Sequence, residues 1–208
     1  MAVMGAAAAA LAWAGSASAT TVFADNAGLF DWTKVTITGT ADAKTFKETV
    51  ATSAMHFQTA ASDGGATSDL WTFCVDIFRT IGAGLNTFHD VDITYTSVPF
   101  ATDGGGGALT LSQQGQIGGL ANLGQSLIST SASDLGDKLA EIQLAIWRIE
   151  YPSLTFTVGD SVPAKGVLDS EAADINAGAN AYVTMAQSSG FKTAFNSELV
   201  DDSGKNQG

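Results

Sequence analysis

The hydrophobic pattern of this chain changes its period at a run of four glycines, residues 104–107. Before the run, apolar residues such as Val35 and Ile37 alternate with polar ones, as in a strand with one buried face. After it, apolar residues recur every three or four positions, as at Leu135 and Leu139, which indicates amphipathic helices. The chain is therefore expected to be α+β, with an antiparallel, sandwich-like sheet in its N-terminal part and a subdomain of about three helices packed on it.

The same patterns place the individual elements. Strands are expected at residues 34–38, 46–50, 55–59, 70–78, 91–98 and 154–158. The first helix is expected to begin at a Ser112 cap and the second at Ser131 or Ser133. A third helix is expected over about residues 170–187, with Ile175, Ala179, Tyr182 and Met185 facing inward.

The N-terminus has the pattern of a secretory signal peptide. Residues 2–15 are apolar or glycine, and residues 16–19 form a small-residue cleavage site, so cleavage is expected after Ala19. An alanine-rich disordered N-terminus is the alternative. The remainder is long enough for one domain, expected at residues 20–195, followed by a polar tail at 196–208. The protein is thus predicted to be secreted, to the cell envelope or the extracellular space.

The acidic composition limits the class of partner. The chain has 9 Lys and Arg residues against 21 Asp and Glu residues, which disfavours nucleic-acid backbones and anionic membranes. No cofactor is predicted, because the glycine run lacks the lysine and helix of a phosphate-binding loop. No metal site is predicted either, since Asp90 and Asp92 beside His89 are interpreted as exposed strand carboxylates.

Cys74 is the only cysteine, so in a secreted chain it cannot form an intramolecular disulfide. It is either a small buried thiol, an intermolecular partner or a participant in another bond. Strand alternation places Cys74 and Asp76 on the face opposite Phe73 and Val75. A thiol-imidazole pair with His56 or His89 is disfavoured because no pattern brings either histidine to Cys74, and the protein is not expected to be an enzyme.

Gln143 lies beside the apolar stripe of the second helix, one turn before Trp147. The residue runs 73–78, 111–120 and 142–151 together resemble exported bacterial PEP-CTERM proteins. They are also similar to the Cys-Gln thioester domains of surface adhesins, whose glutamine precedes an Ile-Trp pair in a T-Q-x-A-like motif. Ile142 stands where that motif often has Thr.

The resemblance implies that Cys74 supplies the thiol, and Gln143 the acyl group, of an internal thioester. Trp147 would exclude water from it, and Asp76 is the candidate proton shuttle. Such a bond would serve either for covalent attachment to a surface amine or hydroxyl, or as a mechanical cross-link. The alternative is a structural matrix protein associated with exopolysaccharide and lacking a thioester.

A sorting segment of Pro-Glu-Pro, apolar helix and basic cluster is expected to follow the tail, as in PEP-CTERM proteins. Membrane contact is predicted only through that missing segment. Trp32, Trp71 and Trp147 could stack on sugars, but their apolar neighbours favour core packing.

Overall fold

The structure, a computed structural model, describes residues 21–29, 32–41, 43–60, 66–75, 77, 93–98, 107–130, 134–159, 172–188 and 198–201. Antiparallel sheets and helices within these residues form an α+β fold, which confirms the expected class. The strands are β1 (Thr21–Leu29), β2 (Thr33–Ala41), β3 (Lys44–Thr52), β4 (Met55–Ala60), β5 (Thr67–Thr72), β6 (Ile93–Val98), β7 (Thr155–Val158) and β8 (Glu198–Asp201). The helices are α1 (Leu111–Thr130), α2 (Leu135–Glu150) and α3 (Ala172–Gln187).

The strands form two antiparallel sheets. The larger has the order β5-β4-β1-β6-β8, and the smaller has the order β3-β2-β7. Strand β7 follows the helices α1 and α2 in the chain and pairs with β2 through Ile37 and Phe156, which ties the C-terminal half to the N-terminal half. Strand β8 pairs with β6 inside the range expected to be a polar tail, so the larger sheet continues into that range.

Helix α2 occupies the centre of the fold. Its residues Ala140, Leu144 and Trp147 join a core cluster with the smaller sheet and α3. Its residues Ile142 and Ile146 join a second cluster with α1. Because both sides of the helix are covered, nearly every position from the middle of α2 onward is buried, including the polar Gln143.

The start of α1 differs from the expected Ser112 cap. Thr110 is the capping residue: its hydroxyl accepts a hydrogen bond from the Gln113 amide at 3.2 Å, and the Thr110 amide donates to Gln113 Oε1 at 3.0 Å. This reciprocal pair is a capping box. Gln113 also donates from Nε2 to the Ile149 carbonyl at 2.9 Å, so the cap of α1 is joined to the end of α2.

Helix α3 packs on α2 through small residues. Ile175, Ala179 and Ala186 are buried, but Met185, which was expected to face inward, is 43 % exposed. The expectation was wrong because Met185 precedes the buried Ala186 by one position, which places it about 100° around the helix from the buried face.

Glu141 of α2 lies half-buried against Gly178 of α3. A Cβ built on Gly178 would be 2.1 Å from the Glu141 carboxyl carbon, so a larger residue at position 178 would force that carboxyl to move. The pKa of Glu141 is raised to about 7, mainly by burial; the charge of Lys138 opposes this increase, and the charges of Asp137 and Asp174 add to it. The ionised carboxylate is therefore poorly solvated in the folded state.

Replacing Glu141 with Gln is expected to remove a pH-dependent loss of stability. Between about pH 4.5 and 7 the folded state holds the Glu141 proton more tightly than the unfolded state, so the free energy of unfolding of wild type falls as pH rises. Relative to wild type, the variant should gain about 1 kcal/mol between pH 4.5 and about pH 8, after discounting for partial solvent exposure. Urea unfolding at both pH values measures this. Parallel curves for the two proteins would show that the carboxyl is well solvated.

Candidate functional site

Cys74 lies just beyond the end of a strand. The β4–β5 ladder ends with Met55 opposite Thr72, and residues 73–75, hereafter the Cys74 segment, follow without strand structure. The strand expected over residues 70–78 is therefore shorter than predicted. Side-chain alternation nevertheless continues, because Phe73 and Val75 are buried in the cluster with α1 while Cys74 packs against the cluster with the smaller sheet.

The side chain of Gln143 projects from α2 to the backbone of Cys74. The Cys74 amide donates to Gln143 Oε1 at 2.8 Å, and Gln143 Nε2 donates to the Cys74 carbonyl at 2.7 Å. Gln143 has no exposed surface, and a buried carboxamide requires both a donor and an acceptor as partners. One cysteine supplies both, although the two residues are 69 positions apart in the sequence.

Two further helical side chains hold the chain on either side of Cys74. Gln125 of α1 donates from Nε2 to the carbonyl of Trp71. The Tyr151 hydroxyl, at the C-terminal end of α2, donates to the carbonyl of Val75 at 3.2 Å in a buried position. Side chains from α1 and α2 thus bond to the backbone before, at and after Cys74.

Two features of the arrangement are suited to acyl chemistry. The Cys74 thiol branches from the Cα that lies between the two groups bonded to Gln143. A backbone N–H directed at a carbonyl oxygen stabilises the negative charge that develops there during nucleophilic attack, and the nucleophile's own amide can serve in this way. Here the Cys74 amide contacts Oε1, the oxygen that an acyl product would retain.

Burial decides what can reach this group. Gln143 is fully buried, whereas Cys74 is partly exposed. Water and external amines therefore have no direct approach to the Gln143 acyl carbon in this conformation. A bond formed here would be sheltered from hydrolysis.

Of the two supporting residues predicted from the sequence, Trp147 and Asp76, the structure describes only Trp147. Trp147 is 3 % exposed and stacks on Phe156 with ring centroids 6.3 Å apart, one turn beyond Gln143. Its indole Nε1 has no hydrogen-bond partner among the described residues. Asp76, the candidate proton shuttle, lies outside the described residues.

The histidine and metal alternatives concern His56, His89 and the carboxylates beside His89. His56 Nε2 contacts Asp69 Oδ1 at 2.8 Å, and its ring stacks on Trp71 at 4.2 Å, so its ring is engaged by those side chains. His89, Asp90 and Asp92 lie outside the described residues. Within the part of the chain that the structure describes, no three His, Cys, Asp or Glu side chains are grouped to hold a metal.

Sequence reasoning missed Gln125 and Tyr151 as parts of this site. Tyr151 is the C-terminal capping residue of α2, and its partner is the backbone carbonyl of Val75. The partner of Gln125 is a backbone carbonyl 54 residues away in the sequence, so neither residue carried a pattern signal.

Gly124 makes room for the residue that precedes Cys74. A Cβ at Gly124 would lie 2.3 Å from the Phe73 ring, which is itself buried. Gly124→Ala should lower the free energy of unfolding by about 1–2 kcal/mol, since overpacking outweighs the gain in helix propensity. Thermal and urea unfolding measure the change.

Gly178→Ala is the matched control for that substitution. Its Cβ would meet the Glu141 carboxyl, the end of a flexible side chain that can turn to solvent. This variant should be stabilised by about 1 kcal/mol through helix propensity. The interpretation of Gly124 fails if both alanines stabilise the protein equally.

The chain has an α+β fold with a Cys–Gln contact between a strand end and a central helix. No protein-family model, curated protein or solved structure matches it. Within the described residues, none of the helices combines the length and apolar character needed to cross a membrane.

Proposed function

We propose that this is an exported cell-surface or extracellular-matrix protein in which Cys74 and Gln143 form an internal thioester. The observation that carries the proposal is the pair of hydrogen bonds that hold the Gln143 carboxamide on the Cys74 backbone. Burial of that carboxamide beside Trp147 supports it, because a thioester persists only where water is excluded. Export is inferred from residues 1–19, which lie outside the described residues.

The bond forms without any additional reagent. The Cys74 sulfur attacks the Gln143 acyl carbon, a carbon–sulfur bond forms, and the carbon–nitrogen bond breaks. The nitrogen leaves as ammonia and takes the thiol proton with it. During attack the Cys74 amide stabilises charge on Oε1, while the Cys74 carbonyl holds the departing nitrogen in place.

Because Gln143 is completely buried, we expect the thioester to act as a cross-link while the site is closed. The thioester would close a loop between residues 69 apart and, by the chain-entropy estimate used for disulfides, stabilise the fold by about 4 kcal/mol. Attachment to a surface amine or hydroxyl is then a second step that requires the site to open. In that step the amine nitrogen bonds to the acyl carbon, the carbon–sulfur bond breaks, and the amine proton restores the thiol.

A structural role without a thioester is the second candidate. It is favoured by the same hydrogen bonds, since Gln143 satisfies backbone groups of a segment that has left the β-ladder. In this case Gln143 fixes the fold of a matrix protein. Trp147 is unavailable to stack on a polysaccharide because it is buried.

Intact-mass spectrometry of the secreted, full-length protein separates the two functions. With a thioester, the mature chain is lighter than its sequence by one ammonia and has no titratable thiol in the native state. Cys74→Ala should restore the ammonia mass. A wild-type chain that keeps the ammonia and shows one reactive thiol would exclude the thioester and leave the structural role.

A further inference from the structure

We propose that Tyr151 controls access to the Gln143 acyl carbon by holding the Cys74 segment closed. This inference rests on the proposed thioester and concerns its regulation. It begins from the position of the segment, which follows the last ladder pair, Met55 with Thr72. Side chains from α1 and from the end of α2 bond to its backbone and to that of Trp71 as described above.

Thioester formation changes which of those bonds remain. The Gln143 nitrogen that donates to the Cys74 carbonyl departs as ammonia, so that hydrogen bond is lost. The bonds from Tyr151 to the Val75 carbonyl and from Gln125 to the Trp71 carbonyl do not involve reacting atoms and persist. In the reacted protein the thioester tethers the Cys74 side chain to α2, and these two hydrogen bonds hold the backbone on either side of that tether.

Tyr151 is suited to this role because its own position is fixed at both ends. Its amide donates to the Trp147 carbonyl at 2.8 Å, and its carbonyl accepts from the Leu154 amide at 3.0 Å. Its side chain is 2 % exposed, and its hydroxyl bonds to the residue directly after Cys74. Buried hydrogen bonds are costly to break when no water replaces the lost partner.

Opening is a movement of the backbone at residues 73 and 75 beside the tethered Cys74 side chain, and it admits an amine to the acyl carbon. The primary amine displaces the Cys74 sulfur as described above, so each amine added releases one thiol. The rate of this reaction in the native state reports the population of the open form, provided that opening and closing are fast.

The experiment compares full-length wild type with Tyr151→Phe, using methylamine as the probe. Mass gain and thiol release are followed under native conditions. Loss of the hydroxyl bond should accelerate both about fivefold. Gln125→Met, which keeps the side-chain length but lacks the donor, should also accelerate them.

Two control variants separate local opening from other effects. Tyr182→Phe on α3 is the matched loss of a hydroxyl and should react at the wild-type rate. Ile37→Val removes a buried methylene from the smaller sheet and should lower the free energy of unfolding by about 1 kcal/mol. If opening is local, this variant should react at the wild-type rate. Equal acceleration by Ile37→Val, or a Tyr151→Phe rate no faster than wild type, overturns the role of Tyr151.

The failure of this inference is distinguishable from failure of the proposed function. A wild-type mass that retains the ammonia removes the thioester and this inference together. A wild-type mass that lacks the ammonia supports the thioester. If Tyr151→Phe and Gln125→Met then both react at the wild-type rate, the thioester stands and only the control of access by these side chains is excluded.

Discussion

Cys74→Ala is expected to lower the free energy of unfolding by about 4 kcal/mol. The substitution removes the thiol, and with it the proposed thioester, which would constrain the unfolded chain by closing a loop between residues 69 apart. A loss of this size is a large fraction of the stability of an ordinary domain. Urea unfolding of the secreted wild type and variant, with the mass of each sample recorded, measures it.

The same substitution has a small effect if no thioester forms. Alanine retains the backbone amide and carbonyl that bond to Gln143, so the hydrogen-bonded contact survives. Only the packing of one partly buried sulfur is lost, at a cost of about 1 kcal/mol. A loss near the smaller value would therefore contradict the cross-link even before the mass is known.

The α+β class was predictable from hydrophobic periodicity. Val35 and Ile37 are buried on one face of β2, as their alternation indicated, and the apolar stripe of α2 lies in the core. The period of the hydrophobic pattern indicates which residues are buried, because alternate residues of a strand and every third or fourth residue of a helix share a face.

Periodicity does not report hydrogen-bond partners, and the errors in element boundaries follow from this. Phe73 and Val75 continue the alternation of β5 although the ladder ends at Thr72. The cap of α1 is Thr110 rather than Ser112. Both residues have a hydroxyl that could cap a helix, and only the hydrogen bonds between Thr110 and Gln113 distinguish them. Spacing predicted the burial of Phe73 and Val75 correctly and the ends of these two elements incorrectly.

The candidate site was predictable only in part. The contact between Cys74 and Gln143 was expected from a resemblance, and the structure brings these two residues together; the thioester itself stays a prediction. The contributions of Gln125 and Tyr151 required three-dimensional information, because each bonds to a backbone carbonyl and such contacts leave no residue-type pattern.

Complete burial of the carboxamide sets the order of events in the proposed function. An acyl carbon open to solvent would react with amines at once but would also hydrolyse. Burial of Gln143 would separate these properties, because the closed protein would preserve a thioester and a transient opening would expose it. Under this proposal, mechanical strength and covalent attachment are successive states of one site rather than alternative functions.

Gln143→Leu, introduced into the Cys74→Ala protein, is expected to lower the free energy of unfolding by about a further 3 kcal/mol. No thioester can form in this background, so the change measures the hydrogen bonds alone. Leucine is similar in size but leaves the amide and carbonyl of residue 74 without the carboxamide that binds them. Each buried polar group that loses its partner costs about 1–3 kcal/mol.

Gln116→Leu in the same background is the matched control. Gln116 lies on α1, and its amide bonds to the Ser112 hydroxyl in an exposed position, so the substitution should change stability by less than about 0.5 kcal/mol. A Gln143→Leu variant as stable as this control would mean that water or a shifted backbone satisfies residue 74. The Cys74 segment would then not depend on α2 for its position, and the hydrogen bonds would no longer explain how the thiol is brought to the acyl carbon. A loss of the expected size instead shows that Gln143 positions the segment before any covalent chemistry, which is the condition for efficient intramolecular attack.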